Sequence, residues 1–427
     1  MKFQCYTLGC KVNQYETQAI EQMLTALGHE ETGGNCDAYI INTCTVTAVA
    51  DRKNRTLIHR LRREHPEAVI GVCGCYAQME PEKVEAMGVD VVCGSAGREE
   101  FVQLLLQAVR CRKEPVVKVD EALKRREFEK LPAGGLSHRT RAMLKVQDGC
   151  NNFCTYCIIP YARGPVRSLP LEEAVCQAKV LAEEGYKEIV VTGIEIASWG
   201  WDLKDGSCFT DLAEALCRAV PGLRIRLGSL EPRIVDEDFC LRLSACRNLC
   251  PQFHLSLQSG SDTVLKRMRR KYDSARYAES VALLRRYFPD CAITTDLIVG
   301  FPGETEEEFQ DSLAFCRSCA LAAMHVFPYS RRAGTPADRM EGQIEKGEKS
   351  RRAALAGELA ERLQTEYHTS LLQREQQVLF EQTEGEFFTG HGENGVKVYA
   401  KGEELHNVTC SVRVVGLRED GVEAVLL

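Results

Sequence analysis

Cys150, Cys154 and Cys157 share one short stretch, Gln147-Asp148-Gly149-Cys150-Asn151-Asn152-Phe153-Cys154-Thr155-Tyr156-Cys157, with the spacing C-x3-C-x2-C. Three thiolates from one loop can bind three irons of a cubane cluster. The fourth iron then lacks a protein ligand and stays open to the amino and carboxylate groups of S-adenosylmethionine. An electron passed from such a cluster into the sulfonium gives a deoxyadenosyl radical. The competing use of the motif is a structural zinc site, which asks for four protein ligands. His138 is the nearest upstream histidine, and no nearby downstream residue completes a C-C-C-H set.

A second group is scattered. Cys10, Cys44 and Cys75 each fall just after a run that reads as a strand. Parallel strands would deliver the three thiols to one edge of a sheet, where they could hold a second cluster with one open iron. Cys93 also ends a strand, and Cys73 lies two residues from Cys75, so both compete for the role. Cys73 sits within the strand, where a free cysteine serves as a small buried hydrophobe.

The elements needed to position these thiols are legible. Residues 3–9, 39–43, 69–72 and 90–93 read as strands, alternating with helices at 16–27, 48–64, 82–87 and 99–109. That alternation implies a parallel sheet covered on both faces. Residues 113–137 hold Glu-Pro, a charged run and Leu-Pro-Ala-Gly-Gly, and read as a linker with some extended structure. Strand-like runs return at 142–147, 188–192, 223–228, 253–258, 292–298 and 323–327, separated by helices such as 171–184 and 306–319. Six strand–helix units are too few for an eight-unit barrel, so a partial (β/α)6 barrel or an open sheet is expected. In either, ligands sit outside the carboxyl ends of the strands. Residues 344–373 read as one long helix, and five short strands within 378–427 read as a small β-barrel or sandwich. The expected division is 1–112, a linker at 113–137, 138–366 and 367–427, in the α/β class with a terminal all-β unit.

Composition narrows the setting. The chain has 427 residues, a formal charge of −7, 44% hydrophobic and 27% charged residues, as in soluble globular proteins of two or three domains. Long disorder and low-complexity repeats are excluded. No run of about 18 apolar residues offers a bilayer span, and the amino terminus lacks a signal-peptide core. A cytoplasmic protein without a membrane partner is expected. Disulfides are rare in that compartment, and the 21 cysteines are odd in number, so some are expected to bind metal.

From 141 to 364 the chain resembles the radical S-adenosylmethionine superfamily. Residues 193–200 are similar to its glycine-containing cofactor loop, which implicates Gly193 and Glu195; Gln258, Asp296 and Gly300, at later strand ends, are expected to line the same cavity. Thr7-Leu8-Gly9-Cys10-Lys11-Val12-Asn13-Gln14, Asn42-Thr43-Cys44-Thr45 and Gly74-Cys75-Tyr76-Ala77-Gln78 resemble the amino-terminal domain of the methylthiotransferases, and Cys150–Gly164, His254–Gly260 and Asp296–Thr305 continue the match. The resemblance implies that Cys10, Cys44 and Cys75 hold an auxiliary [4Fe-4S] cluster beside the radical-generating one. It implies no catalytic side chain beyond the cluster ligands. It also implies that the terminal barrel is an RNA-binding TRAM module. Three substrates occur in the family: isopentenyladenosine in tRNA, threonylcarbamoyladenosine in tRNA, and an aspartate of a ribosomal protein. Lys11-Val12-Asn13-Gln14 after the first cysteine is similar to the threonylcarbamoyladenosine branch, as is the segment 329–340. The implied reaction replaces the C2 hydrogen of that base, at position 37 in the tRNA anticodon loop, by a methylthio group. One S-adenosylmethionine methylates sulfur and a second serves as radical source. An external electron donor and a sulfur donor are implied, and a monomer is expected. The chain lacks the long extension or membrane anchor of the eukaryotic relatives, which points to a bacterial protein. The rival of another class is a non-catalytic iron–sulfur or RNA-binding protein, which would have no need of an open iron.

The acidic total charge conceals three basic runs. Residues 51–65 and 124–141 each carry six Lys/Arg against two acids, and 266–276 carries six against one. Basic segments on an acidic body can hold a phosphate backbone on one face. The terminal barrel has no basic excess and no dense aromatic platform in its sequence, so its RNA role rests on the resemblance.

Overall fold

The computed structural model describes residues 1–112, 114–134 and 140–427. The ends of the predicted linker and His138 therefore lie outside the described residues.

The amino-terminal sheet is six-stranded and wholly parallel. Its order is Glu30–Glu31, Lys2–Thr7, Ala38–Thr43, Val69–Gly74, Val91–Cys93, Val116–Lys118. Ala38–Thr43 and Val69–Gly74 are buried on both faces, as strands covered by helices on both sides must be. The strand order reverses between Lys2–Thr7 and Ala38–Thr43. Such a switch point opens a crevice at the carboxyl ends of its two strands, and those ends lead into Cys10 and Cys44.

Several elements differ from expectation, among them an edge strand at Glu30–Glu31 and a short helix at Cys75–Met79 that were not expected. The first helix is Lys11–Ala26 and starts five residues early, immediately after Cys10. Its first turns are polar, and they fold as helix because Asn13 and Glu16 are buried against partners from other elements. Within the linker, Val116–Lys118 joins the sheet beside Val91–Cys93. The remaining helices fall close to the expected ranges, for instance Ala48–Glu64 and Arg98–Arg110.

The central block is a curved, open (β/α)6 arrangement. Arg141–Lys145, Glu188–Thr192 and Arg224–Leu227 form one parallel sheet. The third strand continues as Ser229–Leu230 into a second, with Gln252–Leu255, Ala292–Val299 and Ala323–Pro328. On Ala292–Val299, Ile293, Leu297 and Val299 enter the main hydrophobic core under the helices. Strand periodicity then turns Thr294, Asp296 and Ile298 to the opposite face, the barrel lumen. The helix Lys346–Ser370 packs on this block and leads into a closed five-stranded barrel, Glu375–Glu384, Phe387–Gly392, Lys397–Ala400, Thr409–Arg418 and Gly421–Leu426. That barrel is tied to the central strands: Arg224 donates to the carbonyl of His391 at 3.2 Å, and Arg226 to those of Gly392 and Glu393 at 3.0 and 2.9 Å. Among the described residues no helix is long and apolar enough to cross a membrane.

Candidate iron–sulfur and cofactor site

Both cysteine groups assemble, by different means. Cys150, Cys154 and Cys157 lie on one loop held closed by backbone bonds from Cys150 to Gly164 and from Cys157 to Cys154. Gly149 precedes the loop at φ +72°, and a Cβ there would lie 1.9 Å from the carbonyl oxygen of Pro165. Only glycine lets the chain pass that close. Cys10, Cys44 and Cys75 come from three neighbouring strand ends. Gly9, at φ +118°, has room for no side chain, because an added Cβ would sit 2.6 Å from Cys44 Cβ. That contact brings the Cys10 turn against the Cys44 turn.

The electrostatics record the convergence. Burial pushes the Cys44 thiol up to about 12, with further pushes from Cys75 and Cys10. Cys150 is also raised to about 12, by burial and then by Glu195, with smaller contributions from Cys157 and Cys154. Cys157 is raised to about 12 by burial and then Cys154, and it feels Cys75 as well. The two triads are neighbours at the junction of the sheet and the partial barrel, where Arg163, at the end of the helix Ile159–Arg163 that follows the cysteine loop, reaches Cys75. All 21 cysteines are free thiols. Three thiols gathered at one place are a donor set suited to a polynuclear cation, which deprotonates its thiol ligands. Cys73 and Cys93 take no part: both are buried in the apolar cluster with Phe3 and Val91.

Donors already point at the sulfurs. Arg163 Nε is 3.1 Å from Cys75 Sγ, and Arg270 Nη1 is 3.3 Å from Cys154 Sγ. Arg163 belongs to a fully buried network that sequence reasoning missed. Glu16 receives Arg98 at 2.8 Å, Lys145 at 2.9 Å, and Arg163. Lys145 also binds Asp148 at 2.8 Å, and Arg167 lies 3.3 Å from the same carboxylate. Burial opposes ionisation of Glu16, but the Arg163, Arg98 and Lys145 charges overcome it and hold its carboxyl well below the usual range. Glu129 meets the edge of the network at the Arg98 amide. The four cations outnumber these acids, so the junction offers net positive charge to the thiolates. Glu16 lies two residues past the Thr7–Gln14 motif, and nothing in its sequence neighbours signals burial.

The segment after the last barrel strand joins the two loops. Arg332 Nη1 binds Asp51 at 2.7 Å, Arg332 Nη2 binds Thr45 at 2.5 Å, and Ser330 accepts from the Ala48 amide at 3.1 Å, all beside Cys44. The Ala337 amide donates to the Thr155 carbonyl at 2.8 Å, between Cys154 and Cys157.

The other expected liners are spread. Glu195 is half-buried next to Cys150 and lines a cavity of about 380 Å³ with Asn152, Ser198, Trp201, Arg233 and Lys271. Its Oε2 accepts from Asn152 at 3.4 Å, while Oε1 has no partner. Burial raises its carboxyl to about 7. Gly193 packs over Gln147. Gln258 holds φ +71°, and its amide donates to the Asp296 carbonyl at 2.9 Å. The Asp296 side chain lies on the lumen face. Gly300 is at the strand end, its amide bonded to Glu304 at 2.6 Å and its α-carbon facing Lys349 of the long helix.

The basic runs are partly absorbed. Arg62 is spent on Asp90 and on carbonyls of neighbouring turns, Arg125 on Asp120, Gln78 and Ser95, Arg267 on Glu308, and Arg270 on Cys154. Arg52, Lys53, Arg55, Lys124, Arg126, Lys266, Arg269 and Lys271 are exposed. The terminal barrel also differs from its sequence impression. Phe387 and Tyr399 meet edge to face at 6.1 Å, and Arg418 lies 4.1 Å over one ring and 4.7 Å over the other.

Lys11 is exposed and lies in the field of charges on the first strands of the central block. Desolvation lowers its pKa, followed by the charges of Arg226 and Arg141. Glu188, the acid in its field, is already committed to Arg224 at 2.6 Å and Arg226 at 2.7 Å.

Comparison with known proteins agrees with this architecture. Residues 144–316 match the radical SAM superfamily, and residues 2–94 match the uncharacterized protein family UPF0004. A threonylcarbamoyladenosine tRNA methylthiotransferase MtaB of Bacillus subtilis is 43% identical over 93% of this chain and 90% of its own length. The chain belongs to this methylthiotransferase family. The MtaB of Thermotoga maritima is 36% identical over 97% of this chain and 95% of its own. A tRNA-2-methylthio-N(6)-dimethylallyladenosine synthase of Acetivibrio thermocellus is 33% identical over 96% of this chain and 86% of its own. Among solved structures, the radical S-adenosylmethionine methyltransferase TsrM from Kitasatospora setae superposes with a TM-score of 0.59, covering 79% of this chain and 77% of its own at 15% identity. At that identity the likeness concerns the fold. Membership in a radical SAM family brings S-adenosylmethionine and one [4Fe-4S] cluster with it.

Proposed function

We propose that this protein adds a methylthio group to C2 of N6-threonylcarbamoyladenosine in tRNA, using two [4Fe-4S] clusters. Cys150, Cys154 and Cys157 hold the first, and Cys10, Cys44 and Cys75 the second. The observation that carries the reading is the nearness of the two thiol triads, with Arg163 of the helix after the cysteine loop 3.1 Å from Cys75 Sγ. When bound, the clusters and S-adenosylmethionine supply the radical and the sulfur that an unactivated aromatic C–H bond requires.

The protein's own groups do the rest. Arg163 and Arg270 donate to sulfur and favour its anionic form. Glu195, with its unpartnered oxygen, takes the ammonium of S-adenosylmethionine. Gly193, Gln258, Asp296 and Gly300 shape the remaining wall. Exposed Phe153 and Trp201 beside the cysteine loop and the cavity offer stacking faces for unpaired bases of the anticodon loop. The exposed cations of the three basic runs and the aromatic–arginine patch of the terminal TRAM-like barrel hold the phosphates. Lys11 supplies a cation to the substrate's threonyl carboxylate, a group that an isopentenyl substrate lacks. An external electron donor and a sulfur donor complete the cycle, and the chain works as a cytoplasmic monomer.

Mass spectrometry of tRNA nucleosides from cells lacking the protein tests the reaction. The 2-methylthio derivative of threonylcarbamoyladenosine should vanish and its unthiolated precursor accumulate. Unchanged levels reject the substrate, and loss of the isopentenyl derivative instead would transfer the protein to the sister activity.

A further inference from the structure

A third cluster of ligating side chains lies in the barrel lumen and contains no cysteine. His254, Asp296 and His325 come from the three adjacent strands Gln252–Leu255, Ala292–Val299 and Ala323–Pro328. The register pairs His254 with Thr294 and Asp296 with His325. Period-2 geometry therefore sets all three side chains on the lumen face, one per strand. Their donor atoms all lie within 4.8 Å of one another. His254 Nε2 is 3.4 Å from Asp296 Oδ2, and the two imidazole rings are 6.1 Å apart. His254 and Asp296 are half-buried and His325 is exposed, so the cluster has an open side.

We propose that these residues form a binding site for a divalent first-row transition ion, separate from both cysteine triads. Two imidazoles and a carboxylate are a common open coordination set for zinc and iron(II). Bond lengths of about 2.0–2.2 Å bring ligand atoms to within about 3–4 Å of each other, so the cluster needs only side-chain closure to reach it. His254 also has the support that metal-binding imidazoles carry, because its other nitrogen lies 3.0 Å from Thr294 Oγ1 and fixes the ring. A simple His–Asp hydrogen bond would account for His254 and Asp296 but leaves His325 unexplained. Three protein ligands leave coordination positions free toward the lumen, where an oxygen donor such as a carboxylate or hydroxyl can bind. The site sharpens the part given to Asp296 in the cavity wall, and it stands independently of which nucleoside the enzyme modifies.

The test uses the anaerobically reconstituted holoprotein, whose cluster cysteines are occupied, with zinc as the probe. After equilibrium dialysis against micromolar zinc, elemental analysis should find about one zinc per chain, and zinc-edge absorption should show nitrogen and oxygen neighbours only. His325→Ala, at an exposed position, should release the zinc while iron content stays unchanged. Thr294→Val should weaken retention by about tenfold. Absence of zinc, zinc bound by sulfur, or equal retention in His325→Ala and Asp296→Asn each overturn the proposal.

Discussion

The two cysteine triads differ in what holds them together. Cys150, Cys154 and Cys157 lie within eight consecutive residues of one loop. Cys10, Cys44 and Cys75 span 66 residues and meet only because three strands stand in register at a topological switch point. The first triad is a local object that the fold carries. The second is a product of the fold. The first should therefore tolerate damage to the scaffold that destroys the second, while the second should be dispensable for any chemistry that needs only the first.

The sharpest way to break this contrast is to remove one ligand from each triad. Cys150→Ala should abolish both reductive cleavage of S-adenosylmethionine and methylthiolation, a loss of at least about 1,000-fold. Cys44→Ala should retain cleavage and lose methylthiolation. Iron should fall from near eight to near four per reconstituted chain in each. If Cys44→Ala kept its methylthiolation, or if the intact protein held only four irons, the second triad would not be a cluster site.

Scaffold changes probe the next level. Glu16→Gln leaves Arg98, Lys145 and Arg163 without their shared buried anion, which should cost about 3–5 kcal/mol. Chemical denaturation would measure it. Arg163 would lose its anchor beside Cys75, so iron at the amino-terminal triad should fall first. Equal loss from both triads would show that the network supports the junction as a whole. Gly9→Ala should act more narrowly. The added methyl meets Cys44 at 2.6 Å in a left-handed backbone conformation, which should cost about 1–3 kcal/mol and lower only the amino-terminal iron.

The same contrast explains what was legible in the chain. The local triad was readable from spacing alone. The dispersed one needed a parallel sheet to be recognised first, and strand–helix patterns located its four inner strands but neither edge strand, Glu30–Glu31 or Val116–Lys118. The polar start of the first helix was not legible, because Asn13 and Glu16 are helical for tertiary reasons: their partners arrive from residues 43, 98, 145 and 163. Charge was legible only as totals. Arg125, Arg267 and Arg270 counted toward surface runs, yet each is committed to internal partners. The lumen trio of His254, Asp296 and His325 has no sequence spacing to read, since register across three strands creates it.

Glu195 gives a gentler test, confined to the local triad's side. Its carboxyl titrates near 7 because burial disfavours the anion. In the folded protein it keeps a proton that the unfolded chain releases near 4.3. This group therefore favours folding most at low pH, and the benefit is gone above about 7. A cationic ligand has the opposite preference and needs the anion. Affinity for S-adenosylmethionine should rise by about tenfold from pH 6 to pH 8, and Glu195→Gln should flatten the profile. A profile unchanged by that substitution would remove Glu195 from the cofactor's ammonium.

The smallest effect is expected at the residue that follows the first cysteine of the dispersed triad. Lys11 follows Cys10 directly, so the turn that delivers a thiol also delivers an ammonium into the field of Arg226, Arg141 and Glu188. Desolvation and then its like-charged neighbours Arg226 and Arg141 lower its pKa, and Glu188 is occupied. An anionic group entering there relieves that repulsion. Lys11→Met should raise KM for tRNA bearing threonylcarbamoyladenosine by about fivefold, as loss of one solvated charge-assisted bond does, with little change in kcat. The discriminating measurement is the ratio to isopentenyl-modified tRNA. A carboxylate contact predicts that the ratio shifts toward the uncharged substrate, whereas a general phosphate contact would weaken both tRNAs equally and leave it unmoved.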